Sequence, residues 1–377
     1  MLRRSFIETV AALPLAAAAP SRTFAAGRAG RGRVRPGDPA WPTPEAWGAL
    51  DAAVGGRLIK VVPPFAGCAA APRGADCETL FRNLRNPFFI GDDVALTQTL
   101  GWVDAWTSRP SAYAVAARSS AEVAAAVRFA RAHNLRLVVK GGGHSYLGGS
   151  NAAASLRVWT RPMRRVEIRD PFVPSGCAGR IAPESAVSVG AGALWLDAYQ
   201  AVTTQAGRYV QGGGCTTVGV AGLTLGGGFG SFSKGFGTAA ANLLEAEVVT
   251  ADGRVLVANP GAEPDLFWAL KAGGGGSFGV ATRLTLRTHD LPPFFGGLSA
   301  KVTAASDAAW RALVGEILAF YRTRLMNPHW GEQIGFHSGR RLTIDMVFQG
   351  LDQAGAEATW RPFFAWLAAR GSDYAVS

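Results

Sequence analysis

The distribution of glycine limits what this chain can fold into more than any other feature. Many of its 48 glycines fall into three clusters, at residues 141–149, 212–230 and 273–279. Each cluster follows or precedes a predicted strand or helix. Because glycine has no Cβ, its backbone N–H groups can approach an anion closely. Three such loops favour a large cofactor with a pyrophosphate, with tight turns of a β-rich protein as the alternative. The clusters have no fixed period, which excludes collagen.

The two common nucleotide-binding motifs do not explain these clusters. The strand–loop–helix context of GxGxxG, with an acidic residue downstream, is missing. The sequence contains no GK[ST] and therefore no Walker A motif. The glycine clusters therefore match neither motif.

The charge balance does not predict a nucleic-acid partner. The formal net charge is +11, which alone could suggest one. However, the arginines are scattered, and the lysines are few: Lys60, Lys140, Lys234, Lys271 and Lys301. No run reaches the ~18 apolar residues of a membrane span, so we expect neither a nucleic-acid partner nor a stable membrane anchor.

The N-terminus has the pattern of an export signal. Residues 1–27 combine Arg3-Arg4, an alanine-rich apolar stretch and then small residues. The paired arginines followed by Ser5 and Phe6 favour a twin-arginine signal, and an ordinary secretory signal is the alternative. We therefore expect recognition by export machinery and a periplasmic or extracellular location.

The chain has four cysteines. Cys68 and Cys77 are nine residues apart in a stretch rich in glycine, proline and alanine, and an exported protein can retain a disulfide between them. Cys177 is predicted to be a free or buried thiol. No cysteine or histidine cluster has metal-ligand spacing, so no metal site is predicted.

The regular patterning begins near Leu58, after residues 28–56, which are predicted to be a loose lead-in. A strand from Tyr113 precedes a helix capped by Ser119 or Ser120, and a buried strand at 135–139 then leads into Gly141. Later stretches predict a helix at 194–207, a hairpin turning at Asp252-Gly253, a short helix before the third glycine cluster, and a strand after it.

The sequence changes character after residue 291, where the glycine clusters stop. A helix capped by Ser306, a strand at 342–350 and a second helix at 356–371 predict another domain. This domain, at 291–377, has too few elements to stand alone. The expectation is that it is incomplete.

Two stretches now identify a family resemblance. "KGGGHS", followed about 70 residues later by "GGGCTTVGVAGLTLGGGFG", resembles the berberine-bridge-enzyme-like flavoprotein oxidases of the vanillyl-alcohol-oxidase superfamily. "ANLLEAEVVTADGRVL" and "DLFWALKAGGGGSFGVAT" extend the resemblance over residues 105–377. It implies an α+β fold: a lead-in at 28–104, a PCMH-type FAD-binding domain of two α/β subdomains at 105–290, and a partial α/β substrate domain with an antiparallel sheet at 291–377.

The resemblance implies FAD attached at two points. His144 matches the histidine bonded to the flavin 8α-methyl carbon, and Cys215 matches the cysteine that forms a thioether to flavin C6. Val218 matches a position beside the flavin where a small residue admits oxygen. The remaining residues implied to bind the cofactor are Lys140, Gly141, Gly142, Gly143, Ser145, Tyr146, Gly148, Gly149, Gly214, Gly219, Gly222, Gly226, Gly227, Gly228, Phe278, Gly279 and Val280.

The implied reaction oxidises an alcohol or hemiacetal. A base removes the hydroxyl proton, hydride moves to flavin N5, and molecular oxygen then accepts the electrons and gives hydrogen peroxide. Doubly attached relatives favour bulky substrates, typically oligosaccharides, and a secondary metabolite is also possible. The base is unassigned, and Tyr321, Glu332 and Asp345 are weak candidates.

The family's C-terminal YWGN-like segment is absent, so the chain is expected to be truncated and its own activity is in doubt. Two alternatives to an oxidase remain. One is a flavin dehydrogenase that uses another electron acceptor, and the other is a non-catalytic flavin-binding remnant.

Overall fold

The computed structural model describes residues 32–98 and 108–377. The predicted signal at 1–27 lies outside the described residues. Val34–Ser377 form one compact unit. In the described part of the chain, no helix is both long and apolar enough to cross a membrane.

The first part of this unit is built on a four-stranded sheet of order β1-β2-β4-β3. Strands β2 and β3 both pair with β4 in parallel, whereas β1 pairs with β2 antiparallel. The elements in chain order are α1 (Pro44–Ala53), β1 (Leu58–Lys60), α2 (Ala66–Ala70), α3 (Ala75–Asn83), α4 (Pro87–Asp92), β2 (Tyr113–Ala116), α5 (Ser120–Ala132), β3 (Arg136–Lys140) and β4 (Ser155–Trp159).

The predicted β-α-β unit is confirmed. Ser119 caps α5, its side chain accepting a hydrogen bond from the backbone N–H of Glu122. The buried face of α5 includes Val123, Val127 and Ala130, which recur at helical spacing. Asn134, just beyond the helix, adopts a left-handed conformation with φ of 50°. The chain therefore turns sharply there into β3, which ends at the first glycine cluster.

The prediction of a loose lead-in over residues 28–56 is wrong for α1. Thr43 caps this helix, and Pro44 occupies its first turn. Trp47 is 5% exposed and stacks on Tyr113 with ring centroids 4.0 Å apart. The abundance of glycine, proline and arginine around α1 hid the two apolar residues, Trp47 and Leu50, that anchor it.

Cys68 and Cys77 form the predicted disulfide. They lie on two short helices, α2 and α3, rather than in a loop. Cys177 is a buried free thiol, also as predicted.

The second part contains an antiparallel sheet of order β5-β6-β10-β8-β9 and a two-stranded ribbon of β7 and β11. The predicted hairpin is β8–β9. The elements of this second part of the unit are β5 (Val166–Phe172), β6 (Glu184–Gly190), α6 (Trp195–Tyr199), β7 (Arg208–Tyr209), α7 (Val220–Leu225), α8 (Ser233–Phe236), β8 (Leu243–Val249), β9 (Val255–Ala258), α9 (Pro264–Leu270), β10 (Val280–Arg287) and β11 (His289–Asp290).

The helix predicted at 194–207 differs in form from the expectation. It is α-helical only over Trp195–Tyr199 and continues as a π-helix over Gln200–Gln205. Trp195 is completely buried in the core beneath the sheet, together with Leu284 and Leu286 of β10. This core holds the segment that runs beside the second glycine cluster.

The third part is a separate antiparallel sheet of order β13-β14-β12-β15, with its core between the sheet and two helices. Ser306 caps the first helix as predicted. A π-helix at Tyr321–Leu325 extends that helix. The elements are β12 (Phe295–Ala304), α10 (Asp307–Phe320), β13 (Trp330–His337), β14 (Arg341–Gln349), α11 (Gln353–Ala368) and β15 (Tyr374–Val376). This mixture of helices and antiparallel sheets agrees with the predicted α+β class.

Candidate functional site

The first glycine cluster begins where β3 ends. The Lys140 side chain is fully buried, and its ammonium donates to the carbonyls of Ile90, Asp93 and Leu96. Burial, together with the positive charge of Arg157, lowers the pKa of Lys140 to about 7, and the charges of Asp93 and Asp92 partly oppose this shift. The ammonium thus holds residues 90–96 against the sheet, and the backbone of Lys140 is the part that continues into the loop.

Gly142 brings the first cluster into contact with the second. A Cβ at Gly142 would lie 2.7 Å from the backbone nitrogen of Gly219 and 3.0 Å from the carbonyl oxygen of Thr217. A Cβ at Gly219 would in turn lie 2.9 Å from the backbone nitrogen of Gly142. Since real Cβ atoms need more room than this, glycine at both positions allows the loops to pack backbone against backbone.

The second cluster is held in place from the other side by residues 193–196. The backbone N–H of Trp195 donates to the carbonyl of Val218 at 3.0 Å, and that of Leu196 donates to the carbonyl of Thr216 at 3.0 Å. A Cβ at Gly212 would overlap the indole ring of Trp195. The loop from 212 to 219 is therefore fixed between the first cluster and a completely buried tryptophan.

This packing brings His144 and Cys215 to one hydroxyl group. The Oγ1 atom of Thr217 lies 3.1 Å from Nε2 of His144 and 3.5 Å from Sγ of Cys215. Thr217 is 4% exposed, His144 is half-buried, and Cys215 is exposed. Burial lowers the pKa of His144, and a backbone hydrogen bond with Thr217 opposes that effect. A largely neutral imidazole and an accessible thiol therefore share a hydroxyl partner.

The remainder of the first cluster forms a turn after His144. The backbone N–H of Gly148 donates to the carbonyl of Ser145, and that of Gly149 donates to the Ser145 side chain. Gly148 has φ of 71°, which glycine tolerates best. The Tyr146 side chain is 64% exposed beside this turn. Aromatic surface thus lies next to the loop that carries His144.

The third cluster meets the end of the second. Helix α7 ends at Leu225, with Gly226 as its C-cap, and the backbone N–H of Gly274 donates to the carbonyl of Leu225 at 2.8 Å. Gly227 and Gly228 both have positive φ, and Gly228 packs against Ala239. All three clusters are therefore linked, the first to the second through Gly142 and the second to the third through Gly274.

The other predicted cofactor residues lie along these linked loops. Gly141 packs against the carbonyl of Ala191, and Gly143 has φ of 79°. Phe278 is 47% exposed, Gly279 has φ of 141°, and Val280 begins β10. Gly214 is exposed, whereas Val218 is half-buried against the core. Gly222 is exposed and has no atom within 4 Å of the place where a Cβ would stand.

The three candidate bases lie on the third sheet and its adjoining π-helix. Tyr321 begins the π-helix, with the Lys234 ammonium 5.1 Å from its ring centroid. Glu332 lies on β13 and is paired with Met346. Asp345 is exposed on β14 and accepts a hydrogen bond of 2.8 Å from Ser299.

Asp345 shares a sheet face with a residue that contacts the glycine loops. A Cβ at Gly331 of β13 would overlap the carbonyl oxygen of Ser231, which directly follows the second cluster. Alternate residues of a strand share a face, so Gln333 lies on the same face as Gly331. Gln333 pairs with Asp345. Asp345 is therefore on the face of the sheet that is turned towards the segment after Gly230.

The donor set suits a flavin dinucleotide. A half-buried imidazole and an exposed thiol are both nucleophiles, and they stand beside linked loops with bare backbone. Thr217 is the residue that sequence reasoning missed. The one feature of the sequence that could have indicated Thr217 is its position two residues after the predicted cysteine, Cys215. Among residues 32–98 and 108–377, no cluster of His, Cys, Asp and Glu is arranged to hold a metal ion.

The part of the chain that carries the first two glycine clusters is similar to known FAD-binding domains. The family described as "FAD binding domain" matches residues 111–259. VAO-type flavoprotein oxidase VAO615 of Thermothelomyces thermophilus is 33% identical over 360 residues, covering 90% of this chain and 61% of that protein. The chain thus spans about three-fifths of the length of this relative.

Solved structures give the same result for the fold. The VAO-type flavoprotein MtVAO615 of Myceliophthora thermophila C1 superimposes with a TM-score of 0.78 at 30% identity, covering 92% of this chain and 66% of that chain. Glucooligosaccharide oxidase of Acremonium strictum, whose FAD is described as 6-S-cysteinyl and 8α-N1-histidyl, superimposes with a TM-score of 0.57 at 23% identity, over 71% of this chain and 52% of that chain. The second similarity concerns the fold alone.

Proposed function

Because residues 111–259 match an FAD binding domain and the chain is 33% identical to a VAO-type flavoprotein oxidase, we propose that it carries FAD bonded to both His144 and Cys215. The observation that carries this proposal is the shared hydroxyl of Thr217, which lies within 3.5 Å of both nucleophiles. Backbone groups of the linked glycine loops would hold the pyrophosphate and the ring. Val218, half-buried beside Thr217, is the proposed position where a small side chain admits oxygen.

The proposed reaction is oxidation of an alcohol or hemiacetal, in a sugar, oligosaccharide or secondary metabolite, with oxygen as the electron acceptor. When bound, FAD supplies the hydride acceptor and the route to oxygen. The chain's own residues orient the cofactor and provide the base. The wide exposure of Cys215 and Tyr146 supports an open, bulky substrate site.

We propose Asp345 as the base among the three candidates. It lies on the sheet face turned towards residue 231, and its carboxylate is exposed and already oriented by Ser299. Asp345→Asn should lower kcat by about 10²-fold or more while flavin content stays unchanged, as expected for loss of a general base. Gln333→Ala on the neighbouring strand is the matched control.

Export through a twin-arginine route is proposed from residues 1–27. The Cys68–Cys77 disulfide is compatible with an oxidising compartment. Expression with Arg3 and Arg4 changed to lysine should retain the protein in the cytoplasm if this proposal is correct.

Acid precipitation of the purified protein tests the cofactor proposal. A yellow pellet, with flavin mass on the peptides containing His144 and Cys215, would support it, and a white pellet would contradict covalent attachment. Substrate-dependent reduction of a dye only when oxygen is absent, with peroxide formed in air, distinguishes an oxidase from a dehydrogenase. Bound flavin that no alcohol or sugar reduces would favour a non-catalytic role.

A further inference from the structure

The Thr217 hydroxyl is placed to exchange a proton with two side chains, in addition to any role in holding the loop. Its hydroxyl can donate one hydrogen bond and accept others. A neutral imidazole has one nitrogen that accepts a proton, and Nε2 of His144 is 3.1 Å from Oγ1. Sγ of Cys215 is 3.5 Å from the same oxygen. If Oγ1 donates to Nε2, it is left to accept the thiol proton of Cys215.

We propose that the Thr217 hydroxyl relays the thiol proton of Cys215 to Nε2 of His144, so that the thioether to flavin forms at neutral pH. This inference rests on the proposed bicovalent attachment. The proton on Sγ moves to Oγ1 as the hydroxyl proton moves to Nε2. The result is a thiolate at Cys215, an imidazolium at His144 and an unchanged threonine.

The complete step balances with oxygen as the oxidant. The thiolate forms an S–C bond at flavin C6, and the C6 hydrogen leaves as a proton. The two electrons released pass through the flavin to molecular oxygen. The sum is thiol plus flavin C–H plus O2, giving thioether plus hydrogen peroxide. The Thr217 hydroxyl would transfer the proton between the two side chains that it contacts, so it acts as a positioning and relay residue.

The environment of the three residues makes His144 the natural acceptor. Nε2 of His144 lies 3.1 Å from Oγ1 of Thr217. Burial lowers the pKa of His144, so the ring is neutral before the transfer. The thiolate formed in the same step would stabilise the imidazolium by its opposite charge. Thr217 is 4% exposed, so water competes poorly for its hydroxyl. Cys215 is exposed. The proton therefore has a short protected route towards the interior, while the sulfur faces outwards.

Other titratable groups packed against the loop have different partners. The Tyr199 hydroxyl donates to a backbone carbonyl of the loop, and burial raises its pKa. Asp197 is bound by Arg161 and by a backbone N–H. The ammonium of Lys140, with its pKa lowered by burial to about 7, points at carbonyls on the far side of the first cluster. Because Lys140 changes protonation in the range tested, every variant is measured against wild type at each pH.

The experiment compares Thr217→Val, which keeps the shape but removes the hydroxyl, with Thr217→Ser, which keeps it. Thr216→Val, on the exposed neighbour, is the matched control. Flavin-free protein of each variant is incubated with FAD in air, and thioether formation on the Cys215 peptide is followed by mass spectrometry. A free thiol is only a few per cent ionised at pH 7. Thr217→Val should therefore slow thioether formation at least ten-fold there, while Thr217→Ser and Thr216→Val match wild type.

Raising the pH separates a relay from a structural role. At about pH 9.5, above the ~8.5 at which a free thiol ionises, Thr217→Val should recover to within about two-fold of wild type. His144→Ala, which removes the acceptor, should show the same slow reaction at pH 7 and the same recovery. A deficit in Thr217→Val that is equal at both pH values, or no deficit at pH 7, would overturn the relay.

Measurements on the wild-type protein distinguish failure of the relay from failure of the proposed bicovalent attachment. If its Cys215 peptide carries no flavin, the bicovalent proposal is wrong and the relay is refuted with it. If wild type carries flavin on both peptides and Thr217→Val behaves as wild type at pH 7, the relay alone is wrong.

Discussion

Gly142→Ala tests whether the close contact between the first two glycine clusters is essential. The new Cβ would lie 2.7 Å from the nitrogen of Gly219, 3.2 Å from its Cα and 3.0 Å from the carbonyl oxygen of Thr217. All three atoms belong to backbone, so no flexible side chain can move aside. Overpacking of this kind costs about 1–3 kcal/mol. Alanine also stabilises by reducing the entropy of the unfolded chain by about 0.5 kcal/mol, which leaves a net loss of about 0.5–2.5 kcal/mol.

Gly149→Ala is the control for this prediction. It lies in the same cluster, and its Cβ would meet only the Ser145 hydroxyl, at 3.4 Å. Thermal unfolding of flavin-free protein measures both variants. With an unfolding entropy of about 2.1 cal/mol/K per residue, Gly142→Ala should lower Tm by roughly 1–3 °C and reduce flavin attachment to His144. Gly149→Ala should change Tm by less than about 1 °C. Equal effects of the two substitutions on Tm would refute the argument from backbone contact.

Four further predictions follow from buried groups and open backbone. In the folded protein the pKa of Lys140 is lowered to about 7, whereas a free lysine titrates at about 10.4. Between these two pH values the unfolded chain binds more protons than the folded protein, so stability increases with pH. The Tm of the wild type should therefore rise from pH 7 to 9, and this rise should be smaller in Lys140→Met. Replacing both Cys68 and Cys77 by serine should lower the free energy of unfolding, measured by chemical denaturation, by about 2–3 kcal/mol. The reason is that the disulfide, which closes a short loop, no longer restricts the unfolded chain. Trp47→Ala should lower the free energy of unfolding by about 3–5 kcal/mol in the same assay, whereas a change under 1 kcal/mol would mean that α1 is dispensable. Gly222→Ala should leave Tm of the flavin-free protein unchanged or higher but weaken FAD binding, measured by flavin fluorescence.

The sequence predicted those elements whose periodicity and caps are local. Ser119 and Ser306 cap helices as expected, and the Asp252-Gly253 turn joins two strands. Predictions failed where the signal depended on tertiary contact. Helix α1 is fixed by the stacking of Trp47 on Tyr113, which lies in a different part of the chain. No periodic pattern near residue 47 could show that partner.

The sequence likewise predicts some features of the candidate site and not others. The positions of His144 and Cys215 along the chain could be predicted from their motifs, and the structure brings both to Thr217. The burial of the Lys140 ammonium could not be predicted, because its carbonyl acceptors lie about 45 residues upstream. The motif shows which residues lie in the loop, whereas long-range packing decides which side chains face the cofactor.

The glycines themselves divide into two groups with different physical causes. At Gly142 and Gly219 the protein fills the space that a Cβ would occupy, so folding alone accounts for glycine there. At Gly222 and Gly275 nothing lies within 4 Å of that space, and neither residue has a positive φ. Neither packing nor backbone conformation demands glycine at these two positions, and in a helix such as α7 glycine is unfavourable relative to alanine. Gly48 and Gly315 have equally open space in helices outside the three clusters, so open space alone does not indicate a ligand. The packed glycines carry the firmer argument, because their backbone contacts explain how His144 and Cys215 come to share Thr217.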